Sequence, residues 1–448
     1  MFCATSWPLA SAAEKSDADA PHWSDALKDI PIGPFRLDVG GSVRYRYEHQ
    51  DDFNVQRYAE PRRGFGSDDF LLQRTRLEFT LRMGAEARAF VQLQDARVYD
   101  SDFKTDDFDW RLYSCPYRNP LDVRQAYVEW LHIGGSPFGI KIGRQAIFYG
   151  DNRVWGPGEW GNVGRYTWDA VKLIADTPAA EVHAIFADRV RYDPHSFDEH
   201  DSRLDGYGVY AMLKKLPFRL DLFWLGKRTR PDMVVDAKGT RLDLDTHTVG
   251  FAVDGKLGRG WDYGGTLAQT FGRRNGVDVR ATGGHARLGY TFNHPWQPRI
   301  GAEFSYASGD PDQTDGTFQT FDGAFGGIDT TKYGWMNFFC WMNIQDYEAT
   351  FSFRPTRKAK IAAEYHFFRL DEAKDAWYWS SGRPARQDAT GKAGSNVGQE
   401  LDLVLTYDFS QRLKAMVGYC HFFPGPFLRR TGASPGADWF FVQTLYTF

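Results

Sequence analysis

From Phe35 to Glu48 the side chains alternate residue by residue. Phe35, Leu37, Val39, Val43, Tyr45 and Tyr47 fall on one face, and Arg36, Asp38, Arg44, Arg46 and Glu48 on the other. A β-strand sends successive side chains to opposite faces, so this segment reads as a strand with one apolar and one charged side. The next run repeats the pattern, with Thr75, Leu77, Phe79 and Leu81 against Arg74, Arg76, Glu78 and Arg82. Further runs follow near 85–97, 121–133, 138–148, 166–176, 180–190, 205–214, 218–229, 245–257 and 261–272. The rest lie near 282–292, 299–308, 346–354, 359–369, 398–408, 412–423 and 437–448, which makes eighteen. Each is close to the ~10 residues that cross a bilayer as a tilted strand.

No stretch approaches the ~20 apolar residues of a membrane helix. Mean hydropathy is −0.51 although aromatics make up 16% of the chain. A barrel with an apolar outer face and a wet lumen has this composition, because its two faces cancel in any average. The connections alternate in length. Short ones include Met83-Gly84, Thr177-Pro178, Leu216-Pro217 and Ser410-Gln411; long ones occupy 49–69, 98–120, 149–165, 309–345 and 370–397. Short turns on a periplasmic rim and long external loops on the other are the layout of a closed antiparallel transmembrane β-barrel. The chain ends on an aromatic-rich strand, with Phe440, Val442, Tyr446 and Phe448 on one face. Its pairing with the first strand would remove both sheet edges, and such an ending resembles the signal read by the barrel-assembly machinery.

The domain reading is a signal-peptide remnant at 1–12, where Ala10-Ser11-Ala12 fits a cleavage site, an N-terminal extension at 13–34 and one barrel at 35–448. The expected location is the outer membrane of a Gram-negative bacterium, in contact with lipid and lipopolysaccharide. With 54 basic and 58 acidic residues, net charge −4, the chain carries no bulk field for nucleic acid. Its four cysteines (Cys3, Cys115, Cys340, Cys420) show no metal or redox spacing. Catalytic patterns are poor, no cofactor is expected, and an enzyme is not. His195, Ser196, His200 and Asp201 lack any nucleophile motif, and Asp193, Asp198 and Glu199 read as a solvated acidic loop. Asp310, Asp312 and Asp315 could bridge cations to lipopolysaccharide.

An arginine at mid-bilayer on the lipid face costs about 2–4 kcal/mol. Arg44, Arg46, Arg74 and Arg76 are therefore expected in the lumen, as one cationic patch on neighbouring strands. Glu303, Glu348, Glu400 and Asp402 fall on inward faces as well. Such a lining either holds the barrel round through salt bridges or discriminates between ions.

Several stretches resemble the alginate-export outer-membrane family: Val123-Arg124-Gln125-Ala126-Tyr127-Val128-Glu129, Gly143-Arg144-Gln145, Trp160-Gly161-Asn162, Tyr365-His366-Phe367-Phe368-Arg369 and Gly398-Gln399-Glu400-Leu401-Asp402-Leu403. The resemblance spans nearly the whole chain. It implies an eighteen-stranded barrel with a cationic constriction that passes a polyuronate outward, and it adds Arg124, Arg144 and Asn162 to the expected pore residues. The chain departs from the exporter at Gly40, where a constriction lysine stands, at Ala146 in place of an arginine, and at Asn162 in place of an aspartate. The turn Asp408-Phe409-Ser410-Gln411 is shorter than the exporter's, which implies a lumen without the plug formed there. Arg124 shares parity with Ala126, Val128 and Trp130, so it lies either at the outer rim or at a bulge that turns it inward. The expected function is an outer-membrane channel for hydrophilic, anionic solutes such as an oligo- or polyuronate. A general small-solute porin is the alternative, and an enzyme-bearing or anchoring barrel the distant one.

Overall fold

The computed structural model describes residues 22–52, 66–101, 117–235, 241–326, 331–378, 382 and 384–448, without the side chains of 231–235 and 241–242. The proposed leader remnant at 1–12 and Cys3 and Cys115 lie outside the described residues. Eighteen strands form the wall. In chain order they are β1 (Phe35–Asp51), β2 (Ser67–Met83), β3 (Ala87–Tyr99), β4 (Asn119–Trp130), β5 (Phe138–Gln145), β6 (Trp168–Asp176), β7 (Ala180–Arg191), β8 (Glu199–Leu213) and β9 (Arg219–Val235). They continue as β10 (Arg241–Gly258), β11 (Trp261–Arg274), β12 (Val277–Thr291), β13 (Arg299–Ala307), β14 (Ile344–Phe353), β15 (Ala359–Arg369), β16 (Asn396–Asp408), β17 (Leu413–Pro424) and β18 (Ala437–Thr447). Each pairs antiparallel with its sequence neighbour, and β18 closes on β1 from Ser42↔Thr447 to Asp51↔Asp438. Every expected strand is present. β2, β8 and β12 begin earlier than the alternation suggested, at Ser67, Glu199 and Val277.

Closure is completed by the chain end. Phe448 exchanges both backbone hydrogen bonds with Gly41, at 3.1 and 3.0 Å. Residues 22–34 pack onto the same rim. Ile30–Ile32 pairs with the start of β1, and Asp25 bonds Arg412 at 2.6 Å in the turn before β17. Exposed aromatics ring this rim at Trp130, Phe138, Trp261, Phe292, Trp296 and Phe409, as a lipid-interface girdle does.

The long connections differ from expectation. The connections read as external loops at 149–165 and 309–345 fold into the barrel instead, over 146–167 and over the described residues 308–326 and 331–343. Their aromatic residues, among them Trp155, Phe325, Phe339 and Trp341, join one buried cluster with inward-facing Trp168, Phe368, Phe422 and Phe441. An aromatic side chain removes 150–250 Å² of surface from water when buried, and the lumen offers a place to do so. The acidic loop before β8 is packed at two of its aspartates, while Glu199 stays exposed as a solvated loop would have it. Asp193 and Asp198 are buried, and Asp198 takes a hydrogen bond from Asn119 at 2.9 Å and one from the Asp193 amide at 3.0 Å. Asp310 is buried too, its amide bonded to Asp375. Among the described residues Cys340 and Cys420 are free and buried. The helix Pro426–Thr431 caps the outer end of β17, and among the described residues no helix is long and apolar enough to cross a membrane.

Candidate functional site

Strand parity alone positions the first functional group. Arg44 and Arg46 on β1 are 4% and 3% exposed, whereas their neighbours Tyr45 and Tyr47 are 46% and 40% exposed on the outer face. Arg74 and Arg76 face the same interior from β2, with Arg44 directly opposite Arg74. Arg124 joins them through a bulge. In the β3–β4 register Gln92 pairs with Gln125 and Leu93 with Val123, so Arg124 has no partner across the ladder. The extra residue turns its side chain inward, 3% exposed, while Val128 and Trp130 stay on the outer face. The conflict between its parity and its charge is resolved this way.

These five guanidiniums are gathered by the turn of segment 146–167 that carries Glu159, Trp160, Gly161 and Asn162. Arg44 donates to the carbonyls of Trp160 and Gly161 at 3.2 and 3.0 Å, and to Asn162 Oδ1 at 3.1 Å. Arg46 bonds the Trp160 carbonyl at 3.0 Å and Glu48 at 2.7 Å, and its guanidinium lies 4.4 Å from the centre of the Trp160 ring. Arg76, Arg124 and Arg74 converge on the single carboxylate of Glu159 at 2.6, 3.1 and 3.6 Å. Burial pushes the Glu159 carboxyl up, but the guanidiniums of Arg76, Arg124 and Arg74 outweigh it and hold it well below the ordinary carboxylate range. Gly164 lies beneath Arg124 at φ +92°, where an added Cβ would come 2.5 Å from the guanidinium. Arg124 also bonds the Tyr192 hydroxyl.

Asn162 works as a strap. Its Nδ2 donates to the carbonyls of Gln73, Arg97 and Tyr117 at 3.1, 2.9 and 2.9 Å while its oxygen holds Arg44. Arg144 stands apart from the group. It shares parity with the exposed Phe138 and Ile142 and bonds Asp169 on the adjacent strand at 3.0 Å, so it ties the outer face of β5 to β6. At Gly40 an added Cβ would come 2.9 Å from Lys28 Nζ, so an ammonium from the N-terminal segment occupies space that a side chain there would need.

Further round the wall, on the strands that precede β17 and β18, the lining is acidic. Asp346 and Glu348 on β14, Glu364 on β15, and Glu400 and Asp402 on β16 surround His366. Segment 331–343 lies on this wall: Trp335 donates its indole N–H to Glu364 at 2.8 Å, and the Met336 amide donates to Glu400 at 2.7 Å. Glu303, also expected to point inward, is paired with Arg153 from segment 146–167. The two inward segments meet where Trp160 and Trp335 pack edge to face at 5.1 Å. A basic wall, an acidic wall and an aromatic bridge between them thus define the interior. Sequence reading missed Glu159, Trp335 and Arg153. Glu159 adjoins the quoted Trp160-Gly161-Asn162 motif, but no local pattern showed that this loop would turn inward.

Comparison with known proteins agrees with this architecture. The family model for alginate export matches residues 35–441. No curated protein matches the chain by sequence. Among solved structures, Pseudomonas aeruginosa OpdQ is similar at a TM-score of 0.55 and 12% identity, over 92% of this chain and 99% of that one. Acinetobacter baumannii OccAB2 gives 0.57 and 12%, over 92% and 98%. Pseudomonas aeruginosa OpdK with vanillate gives 0.56 and 11%, over 92% and 98%. At such identities these likenesses speak for the barrel fold alone.

Proposed function

The chain belongs to the alginate export family, and from that premise we propose that its barrel passes hydrophilic anionic solutes, a uronate chain being the best fit. The observation that carries this reading is the basic wall. Four arginines from β1 and β2 and a fifth from a bulge in β4 crowd one face of the lumen, and Arg74, Arg76 and Arg124 share one carboxylate, Glu159. A lining built only to stay round would pair its charges within the wall, as Arg82 and Asp38 do at 2.8 Å and as Arg46 does with Glu48, whereas Arg74, Arg76 and Arg124 turn to a carboxylate from an inserted segment. Guanidinium stays charged and forms bidentate bonds to carboxylates. A uronate carboxylate entering the lumen could therefore take over the bonds that Glu159 and the carbonyls of Trp160 and Gly161 now make. The acidic stretch of wall at β14–β16 favours passage along the basic side.

The test replaces Arg44, Arg46, Arg74 and Arg76 with Gln in the full chain and measures reversal potentials in planar bilayers. Permeability should move from anions towards cations at low salt, with heat-modifiable migration retained. Unchanged anion preference would leave the general small-solute porin as the better reading. The departures at Gly40 and Ala146 already favour that second reading over strict selection for alginate.

A further inference from the structure

We infer that the acidic wall holds a divalent transition-metal ion, bound by Glu348, Glu364 and His366. The imidazole of His366 and the carboxylate oxygens of Glu348 and Glu364 come within 4.8 Å of one another on β14 and β15. The two strands are adjacent and antiparallel, and Glu348 sits directly opposite His366. Ligand atoms around a tetrahedral zinc ion are about 3.4 Å apart, given bonds of roughly 2.0–2.2 Å.

The histidine is prepared for this in a specific way. Its Nδ1 faces both oxygens of Asp346, at 3.1 and 3.0 Å, and both side chains are 1% exposed. In the neutral ring that contact places the proton on Nδ1 and leaves the lone pair on Nε2 for a metal, whose binding displaces any second proton. Metal-ligating histidines are commonly held by a carboxylate on the far nitrogen in the same manner. Nε2 itself is buried and has no hydrogen-bond partner, and its nearest charged neighbour is Asp402 at 3.9 Å. A buried ring nitrogen left without a partner costs free energy, and a metal bond removes that cost.

Charge points the same way. Asp346, Glu348, Glu364, Glu400 and Asp402 share this stretch of wall, and among the described residues His366 is the one basic group within ion-pair distance of any of them. One oxygen each of Glu400 and Asp402 is buried without a partner as well. Glu364 spends one oxygen on the Trp335 indole, which leaves the other for the ion. Carboxylate and imidazole together suit zinc or manganese better than calcium, which prefers oxygen alone. Because Trp335 belongs to segment 331–343, the ion would also fix that segment against the wall.

The experiment uses the full chain folded in detergent, stripped with a chelator, then equilibrated with Zn²⁺ and measured by elemental analysis and indicator competition. Surface pairs such as His49 with Asp69 and His421 with Asp438 set a background, so the readout is the difference between variants. The wild type should retain one more equivalent than E348Q/E364Q or H366Q. D346N, which touches no ligand atom, should weaken binding by about 10–100-fold. If the ligand variants fail to fold by heat-modifiable migration, D346N and the wild-type stoichiometry carry the test. A wild type that retains no equivalent beyond that of the folded variants, or that binds Zn²⁺ no more tightly than D346N, overturns the site.

Discussion

Glu159 is the most informative single residue in the lumen, because one carboxylate serves three guanidiniums. Replacing it with Gln keeps its shape and the backbone bonds from Arg44 and Arg74 to the Trp160-Gly161 turn, and removes only the charge. The wall then gains one net positive charge. An ion passing at about 6 Å through water feels that change as about 0.7 kcal/mol before screening. Screening lowers it to about 0.6 kcal/mol at 0.01 M salt and about 0.3 kcal/mol at 0.15 M, from Debye lengths of roughly 30 and 8 Å. An anion gains what a cation loses. The permeability ratio should therefore move towards anions by about sevenfold at 0.01 M and about threefold at 0.15 M. Reversal potentials across planar bilayers under a salt gradient read this directly. A ratio unchanged at 0.01 M, or moved towards cations, refutes the reasoning; a shift of equal size at both salts refutes its electrostatic origin.

Trp160→Ala removes the ring that stacks on Arg46 and abuts Trp335, so single-channel conductance should rise while the barrel stays heat-modifiable; an unchanged conductance would mean that the aromatic bridge does not limit passage. Burial, and then the charge of Asp122, pushes the Asp198 carboxyl up to about 7 from 3.8. Its contribution to stability is fully present below 3.8 and is lost as pH rises through about 7. Amides of the turn at 192–198 should thus exchange faster at pH 9 than at pH 5 beyond the intrinsic rate, and D198N should abolish that excess. Cysteines placed at Asp312 or Thr390, both exposed, should react with an impermeant label on intact cells, and one at Ser410 only after permeabilisation; the opposite result would exchange the two rims.

The barrel was legible because its signal is local. A strand's period of two needs no distant partner to be recognised, and a guanidinium cannot face lipid cheaply, so Arg44 and Arg46 could be placed inside from their neighbours alone. The bulge at Arg124 lay at the edge of legibility: parity put the residue outside and charge put it inside, and only the register against β3 shows which prevailed. Arg144 shows the limit of reasoning by motif, since its strand turns it to the outer face, where Asp169 satisfies it.

What the chain determined by itself is the wall: eighteen strands, their inward and outward faces, and the closure of β18 on β1. These follow from alternation and from the cost of an unpaired edge in lipid, both readable from short windows. The tertiary structure alone decided what fills the wall. Glu159 meets Arg76 across 83 residues, and Trp160 meets Trp335 across a gap longer still. Nothing within either loop's own sequence distinguishes an aromatic loop that extends into solvent from one that turns into the lumen. The difference lies in the partner surface, arginines on β1 and β2 and carboxylates on β14 to β16, which exists only once the barrel has closed.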